Sequence, residues 1–215
     1  MSGVTDLATR LEARVAGLLD DDGSHDIGHL RRVCALALRI AEGEGGDAEV
    51  LVAAAWLHDL VNLPKDAPDR AQASRRSAQA ARPILREMGI AAQKHDAIAH
   101  AIEAHSFSAG LTPQTLEARI LQDADRLDAL GAIGVARCFY VSGRLGRPLF
   151  DPDDPLARHR PLDDSRFALD HFETKLFPVA RSLNTATARR IGADRVQVME
   201  RFVQALVAEI GEDLP

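Results

Sequence analysis

The chain has 215 residues, with 26 Lys and Arg against 32 Asp and Glu, giving a formal net charge of −6. This length and an apolar content of 46% suffice for one substantial core, and the acidic balance argues against a protein that coats nucleic acid. No apolar run approaches the roughly 18 to 20 residues of a bilayer span, and the first residues mix Asp, Glu and Arg among apolar positions, so neither a membrane span nor a secretory signal is expected and a cytoplasmic location is.

Aromatic residues make up only 4% and strand-like alternation is scarce, which predicts an all-α fold, read as a single domain over 1–215. Leu7, Leu11, Val15 and Leu18 form a stripe for a first amphipathic helix over about 6–19. A turn through Asp20 to Gly23 leads to a second helix with Ile27, Leu30, Val33, Ala37 and Ile40 on one face, stopped by Gly43, Gly45 and Gly46. Asp47 caps a third helix whose body, VLVAAAWL, is apolar all round and so reads as a strut buried on most sides. It ends at His58 and Asp59. The stretch VNLPKDAPDR is a loop, because Pro64 and Pro68 cannot continue a helix. Helical patterns follow over about 71–88, where Pro83 predicts a kink, and about 91–105. Another begins near Pro113 and runs through Asp128 toward Val141, with Gly131 and Gly134 allowing close helix contact or a break. A long Pro-rich loop near 144–165 is read as a flap or an oligomer contact, which leaves a homo-oligomer open. Helices over about 166–177 and 185–210 finish the chain. Cys34 and Cys138 have no CxxC partner and read as buried thiols, and Trp56 and Tyr140 read as core residues.

An ionised carboxylate beside an imidazole at the inner end of the most buried helix is costly unless both are paired or bind a cation. A lone His58–Asp59 pair is ordinarily a helix-end ion pair. Its meaning changes because His29 lies on the polar side of the preceding helix, and Asp123 and Asp125 interrupt an apolar segment, ARILQDADRLDALGAIG. Three segments then offer a mixed nitrogen and oxygen set, suited to a divalent ion such as Mn2+, Mg2+, Fe2+ or Zn2+. Such an ion acidifies water and polarises phosphoryl oxygens, which points to hydrolysis of a phosphoester or phosphoanhydride. Asp123 and Asp125 stand about 200° apart around a helix, so one of them faces the ion.

The ordered set of His29 in SHDIGHLRRV, His58 and Asp59 in AAAWLHDL, and an aspartate in QDADRLDALGAIG resembles the HD-domain metal-dependent phosphohydrolases. AHAIEAHSFS, GRPLFDPDDP and LDHFETKL extend the likeness to a bacterial subgroup of stand-alone HD hydrolases, over about 23–208. The resemblance implies a helical HD bundle with a metal-site core over about 23–130, C-terminal helices over about 166–210, and a divalent metal, Mn2+ or Mg2+ first. It also implies an enzyme that cleaves nucleotides or related phosphate esters, and it places the closing ligand at Asp125. Asp123 is then a partner that orients a histidine, or a solvent-facing carboxylate.

Many HD nucleotidases carry an acidic residue three positions after the HD aspartate. Here that position is Asn62, which leaves Glu103, His105 and His25 as candidates for proton transfer. His25 is alternatively only a histidine at the start of a helix. Lys65, Arg70, Arg126 and His100 are the candidate substrate contacts, since an acidic protein needs local cations to hold a nucleotide. Asp128 reads as structural, bonded to a helix neighbour or to Arg126. Two other readings stand beside the phosphohydrolase: a non-catalytic HD module that binds a nucleotide or a partner, suggested by Asn62, and a metal-dependent oxygenase using the spare His100 and His105.

Overall fold

The computed structural model describes residues 2–18, 26–63, 67–106 and 109–211. Among them every regular element is helical and no strand occurs, so the all-α expectation holds. No described helix is long and apolar enough to cross a membrane. The chain divides into two compact units, one of residues 1–125 with 184–187, the other of residues 126–183 with 188–215.

The first unit opens with α1 (Ser2–Val15), which buries Leu7, Leu11 and Val15 and stops before Leu18, leaving that side chain exposed. In α2 (Ile27–Glu44) the N-cap Asp26 accepts from His29 N, and Gly45, at φ 86°, closes the other end by donating to Ala41 O. The positive φ there is the reason a glycine follows the helix. Asp47 caps α3 (Ala48–Leu57) by accepting from Glu49 N and Val50 N, and every residue from Val50 to Leu57 is buried. That continuous burial is what carries the end of α3 into the core.

After a short 3-10 turn, α4 (Ala73–Glu87) runs unbroken through Pro83. Pro83 and Gln79, whose carbonyl loses its partner, both lie on the exposed face, so water replaces the missing hydrogen bond and the helix is not interrupted. A second 3-10 turn precedes α5 (His95–His105), and α6 (Leu116–Asp128) brings both aspartates of the DAD segment.

In the second unit, α7 (Gly131–Arg144) begins anew at Gly131, with φ 72°, so Gly131 breaks the pattern, while Gly134 lies within α7. Asp128 is buried and pairs with Arg137 at 3.1 Å. Tyr140 is half exposed, with the Arg144 guanidinium 5.9 Å above its ring. The core expectation for Tyr140 therefore fails, because it falls on the outer side of α7.

The loop following α7 contains no helix but is extensively bonded. Arg160 forms a two-pronged pair with Asp170, donates to Asp154 O, and lies 4.5 Å over the Phe167 ring. The helix expected from 166 starts later, as a π-helical turn (Phe172–Leu176) that continues into α8 (Phe177–Arg181). Its Phe172 stacks on Phe202 at 5.9 Å and meets Phe139 and Phe177. The last helix, α9 (Ala186–Glu209), carries Phe202.

Removing Arg160 leaves the Asp170 carboxylate, 1% exposed, without its charge partner. Arg160→Ala is expected to lower the unfolding free energy by about 3 kcal/mol, the usual cost of breaking a buried ion pair. Chemical denaturation of the two proteins measures it, and Arg160→Lys recovers only part because it cannot form the two-pronged contact.

Candidate metal centre

The site is built where helices of the first unit end or begin. His29 sits in the first turn of α2, its backbone N–H held at 2.9 Å by the Asp26 carboxylate. His58 follows the last residue of α3, and its Nδ1 donates to Ala55 O at 2.8 Å. His105, the last residue of α5, uses the same device, with Nδ1 donating to Ile102 O at 2.6 Å. Both rings thereby satisfy a terminal helix carbonyl and fix the tautomer that leaves Nε2 as a lone-pair donor.

Those lone pairs converge. His29 Nε2 and His58 Nε2 are 3.2 Å apart. The Asp59 carboxylate lies 3.7 Å from His29 Nε2, 3.6 Å from His58 Nε2 and 3.5 Å from His105 Nε2. Asp125 Oδ1 stands 3.5 Å from His29 Nε2 and 3.9 Å from His58 Nε2. Two overlapping triads result, His29–His58–Asp125 and His58–Asp59–His105, each with its ligand atoms within 4.8 Å of one another. Separations above 3 Å among nitrogen and oxygen lone pairs suit groups surrounding a cation at about 2.1 Å better than groups bonded directly to each other. The donor set therefore fits a divalent metal.

The electrostatics agree with that fit. Burial pushes the His58 imidazole down to about 4, against the pull of Asp59, so it is neutral and able to ligate at pH 7. For Asp59 burial alone would raise the pKa, but His58 and His105 outweigh it and hold the carboxyl well below its ordinary range. Burial likewise opposes protonation of His105, and the Asp59 carboxylate 3.5 Å from its Nε2 overcomes that, leaving the imidazole above its ordinary value. The buried Cys34 thiol is driven up to about 11 by burial, consistent with an inert core residue.

The remaining candidates are placed differently. Asp123 is fully buried and accepts from Asn184 N, Asn184 Nδ2, Thr185 N and Thr185 Oγ1, each at 2.8 Å, so these contacts fix a turn rather than a histidine. Asn62 Oδ1 accepts from Arg70 Nη1 at 2.8 Å, and the same nitrogen reaches Leu63 O. His100 Nε2 accepts from Gln114 N at 2.9 Å, which occupies the lone pair that the oxygenase reading would give to a metal. Arg126 belongs to the second unit, where Nη1 donates to Ser182 O at 2.7 Å. Glu103 is half buried on α5. His25 and Lys65 lie outside the described residues. A cavity of about 610 Å³ in the second unit, lined by Phe177, Val196, Val203, Arg181 and Glu200 among others, includes none of the clustered ligands.

Sequence reasoning did not find Gln122, Asn184 or Thr185. Asn-Thr before an apolar pattern signals a helix start, but nothing local names Asp123 as its distant partner.

The HD domain family model matches residues 25–130. Over 208 residues the chain is 33% identical to the Bacillus subtilis (strain 168) protein YpgQ, covering 94% of this chain and 93% of that one. This chain belongs to the HD domain family. It is similar to the crystal structure of Bacillus subtilis YpgQ in complex with ADP, with a TM-score of 0.73 and 29% identity over 96% of each chain. A Bacillus thuringiensis HD-superfamily hydrolase gives a TM-score of 0.73 and 29% identity, covering 99% of this HD chain and 98% of the other. A Lactobacillus plantarum structure gives 0.72 and 34%, over 97% and 98%. The fold of this HD protein is that of the HD-superfamily hydrolases.

Because folded His58 has a pKa of about 4 against an ordinary 6.5, the unfolded chain binds a proton first as pH falls. The metal-free protein is therefore expected to lose a few kcal/mol between about pH 6.5 and 4. His105, whose pKa is raised, contributes its full stability below about 6.5 and adds no slope in that window, while Asp59 acts at lower pH. Denaturation curves at a series of pH values check this, and His58→Gln should flatten the decline. Adding a divalent ion at about a hundred times its Kd should raise stability by about 2.7 kcal/mol, an effect that Asp59→Asn is expected to abolish in a thermal-shift measurement.

Proposed function

We propose that this chain is a divalent-metal-dependent phosphohydrolase acting on a nucleotide or a related phosphorylated small molecule. The observation that carries the reading is the convergence of His29, His58, Asp59 and Asp125, with His105 beside Asp59, inside an otherwise apolar helical core. The Bacillus subtilis YpgQ structure with ADP supports a nucleotide as the ligand class. Three imidazoles with two carboxylates favour Mn2+ over Mg2+, since the harder magnesium ion prefers an oxygen shell.

When bound, such an ion supplies Lewis acidity, lowering the pKa of water toward neutrality and polarising a phosphoryl oxygen. The chain's own residues supply the rest. Asp59 and Asp125 provide the negative charge that retains a cation, and His29, neutral His58 and His105 complete its surroundings. The helix-end hydrogen bonds of His58 and His105 hold their rings in place without reorganisation. Arg70 donates through Nη1 to Asn62 Oδ1 and Leu63 O, and its guanidinium is the cation to test as a contact for an anionic substrate. With His105 placed among the groups that surround the ion, Glu103 is the residue to test for proton delivery to the leaving group. The oxygenase reading loses its support at His100, whose Nε2 is engaged by Gln114.

The test is a screen of nucleoside mono-, di- and triphosphates with the Mn2+-loaded protein, with phosphate and pyrophosphate measured separately. Turnover is expected in the wild type and should fall by more than about a hundredfold in Asp59→Ala, beyond the usual effect of losing an outer hydrogen bond to a ligand. Wild-type turnover that survives Asp59→Ala unchanged overturns the proposal. Calorimetric binding of a nucleotide without product would instead favour the non-catalytic module that Asn62 suggests.

A further inference from the structure

Residues 122–125 of α6 reach in two directions. Asp125 enters the ligand cluster, while Gln122 and Asp123 are both held by Asn184. The Asn184 side-chain amide donates one proton to Asp123 Oδ1 at 2.8 Å and the other to Gln122 Oε1 at 2.9 Å. That second bond fixes which end of the Gln122 amide carries its N–H groups. Gln122 Nε2 then donates to Ala104 O at 2.7 Å, with Gln122 itself 4% exposed.

Ala104 immediately precedes His105 in the last turn of α5, where backbone carbonyls lack intrahelical partners. Ser106 turns away into extended conformation, at ψ 128°, so no further turn of α5 supplies a donor to Ala104 O. His105 Nδ1 is fixed within that same turn by Ile102 O. The ring is thus rigid relative to the end of α5, and the end of α5 is tied to α6 by the Gln122 amide.

We propose that Gln122, oriented by Asn184, is a positioning residue that sets where the His105 imidazole stands against Asp59. It touches neither ligand nor substrate. Its action is to hold the last turn of α5 at a fixed place beside the helix that carries Asp125, so the two ligand triads keep a common centre. The inference rests on the cluster holding a divalent ion and is independent of which phosphate ester is cleaved.

The experiment uses Mn2+ alone in titration calorimetry and Co2+ alone in visible absorption, whose bands report ligand number and geometry. Gln122→Leu removes the amide at similar volume. Gln122→Glu keeps an oxygen for Asn184 but offers no N–H to Ala104, and serves as a second variant should the first fail to fold. Either is expected to weaken Mn2+ binding about tenfold, as losses of outer-shell hydrogen bonds do, and to shift the Co2+ bands. Asn184→Ala should act in the same direction, and its effect should be less than additive with Gln122→Leu because the two form one relay. Met199→Ala, which opens a cavity at a fully buried α9 position of the second unit, should lower the melting temperature and leave both metal readouts unchanged. Wild-type affinity and bands in both Gln122 variants, or an equal change in Met199→Ala, overturn the proposal while leaving the metal centre standing. A wild-type protein that takes up neither ion overturns both.

Discussion

The bond from an imidazole Nδ1 to the carbonyl three residues earlier, made at the end of α3 by His58 and at the end of α5 by His105, is the constraint on which the centre depends. A helix terminus buried in an apolar core leaves carbonyls that water cannot reach, and leaving one unpaired costs about 1 to 3 kcal/mol. Placing histidine at the terminus meets that need and fixes the ring tautomer at once. The free nitrogen can then face only away from the helix. Folding the apolar strut of α3 therefore prepares a ligand, and the stability of the helix end is inseparable from the readiness of the site.

The same core explains why charge is tolerated there. Asp59 follows the buried end of α3 with its side chain 19% exposed, and three imidazole nitrogens stand within 3.7 Å of its carboxylate. The nearby Asp59 carboxylate raises the His105 pKa above its ordinary value despite burial. A divalent ion held by these groups would compete with the proton for that nitrogen. Ion uptake and proton release are in this way two sides of one equilibrium.

Much of this was legible from residue order. Asp26, Asp47 and the glycines after α2 mark helix ends through local chemistry that operates wherever the chain folds, and the apolar run of α3 announces a buried strut. His29, His58, Asp59 and Asp125 stood out because polar side chains in apolar patterns need partners. What escaped depends on contacts between distant residues. Asp123 is read equally well as a partner for histidine until Asn184 and Thr185, 61 and 62 positions away, come to face it. Tyr140 follows an apolar pattern, yet the break at Gly131 resets the helix phase and turns its ring outward. The π-helical turn at Phe172 has no composition signature of its own; it follows from the packing of Phe139, Phe172, Phe177 and Phe202.

The donors to Asp123 also bear on how much of the chain is needed to make the centre. Every clustered ligand lies within residues 29–125, and the matched family span ends at 130. Yet the Asn184–Thr187 segment belongs with that same unit, and it supplies four hydrogen bonds to the buried Asp123 carboxylate. A polypeptide cut after residue 130 would retain its ligands but bury an anion with those contacts gone. The unit that holds this centre is thus discontinuous in sequence, and late residues serve as structural parts of an early site.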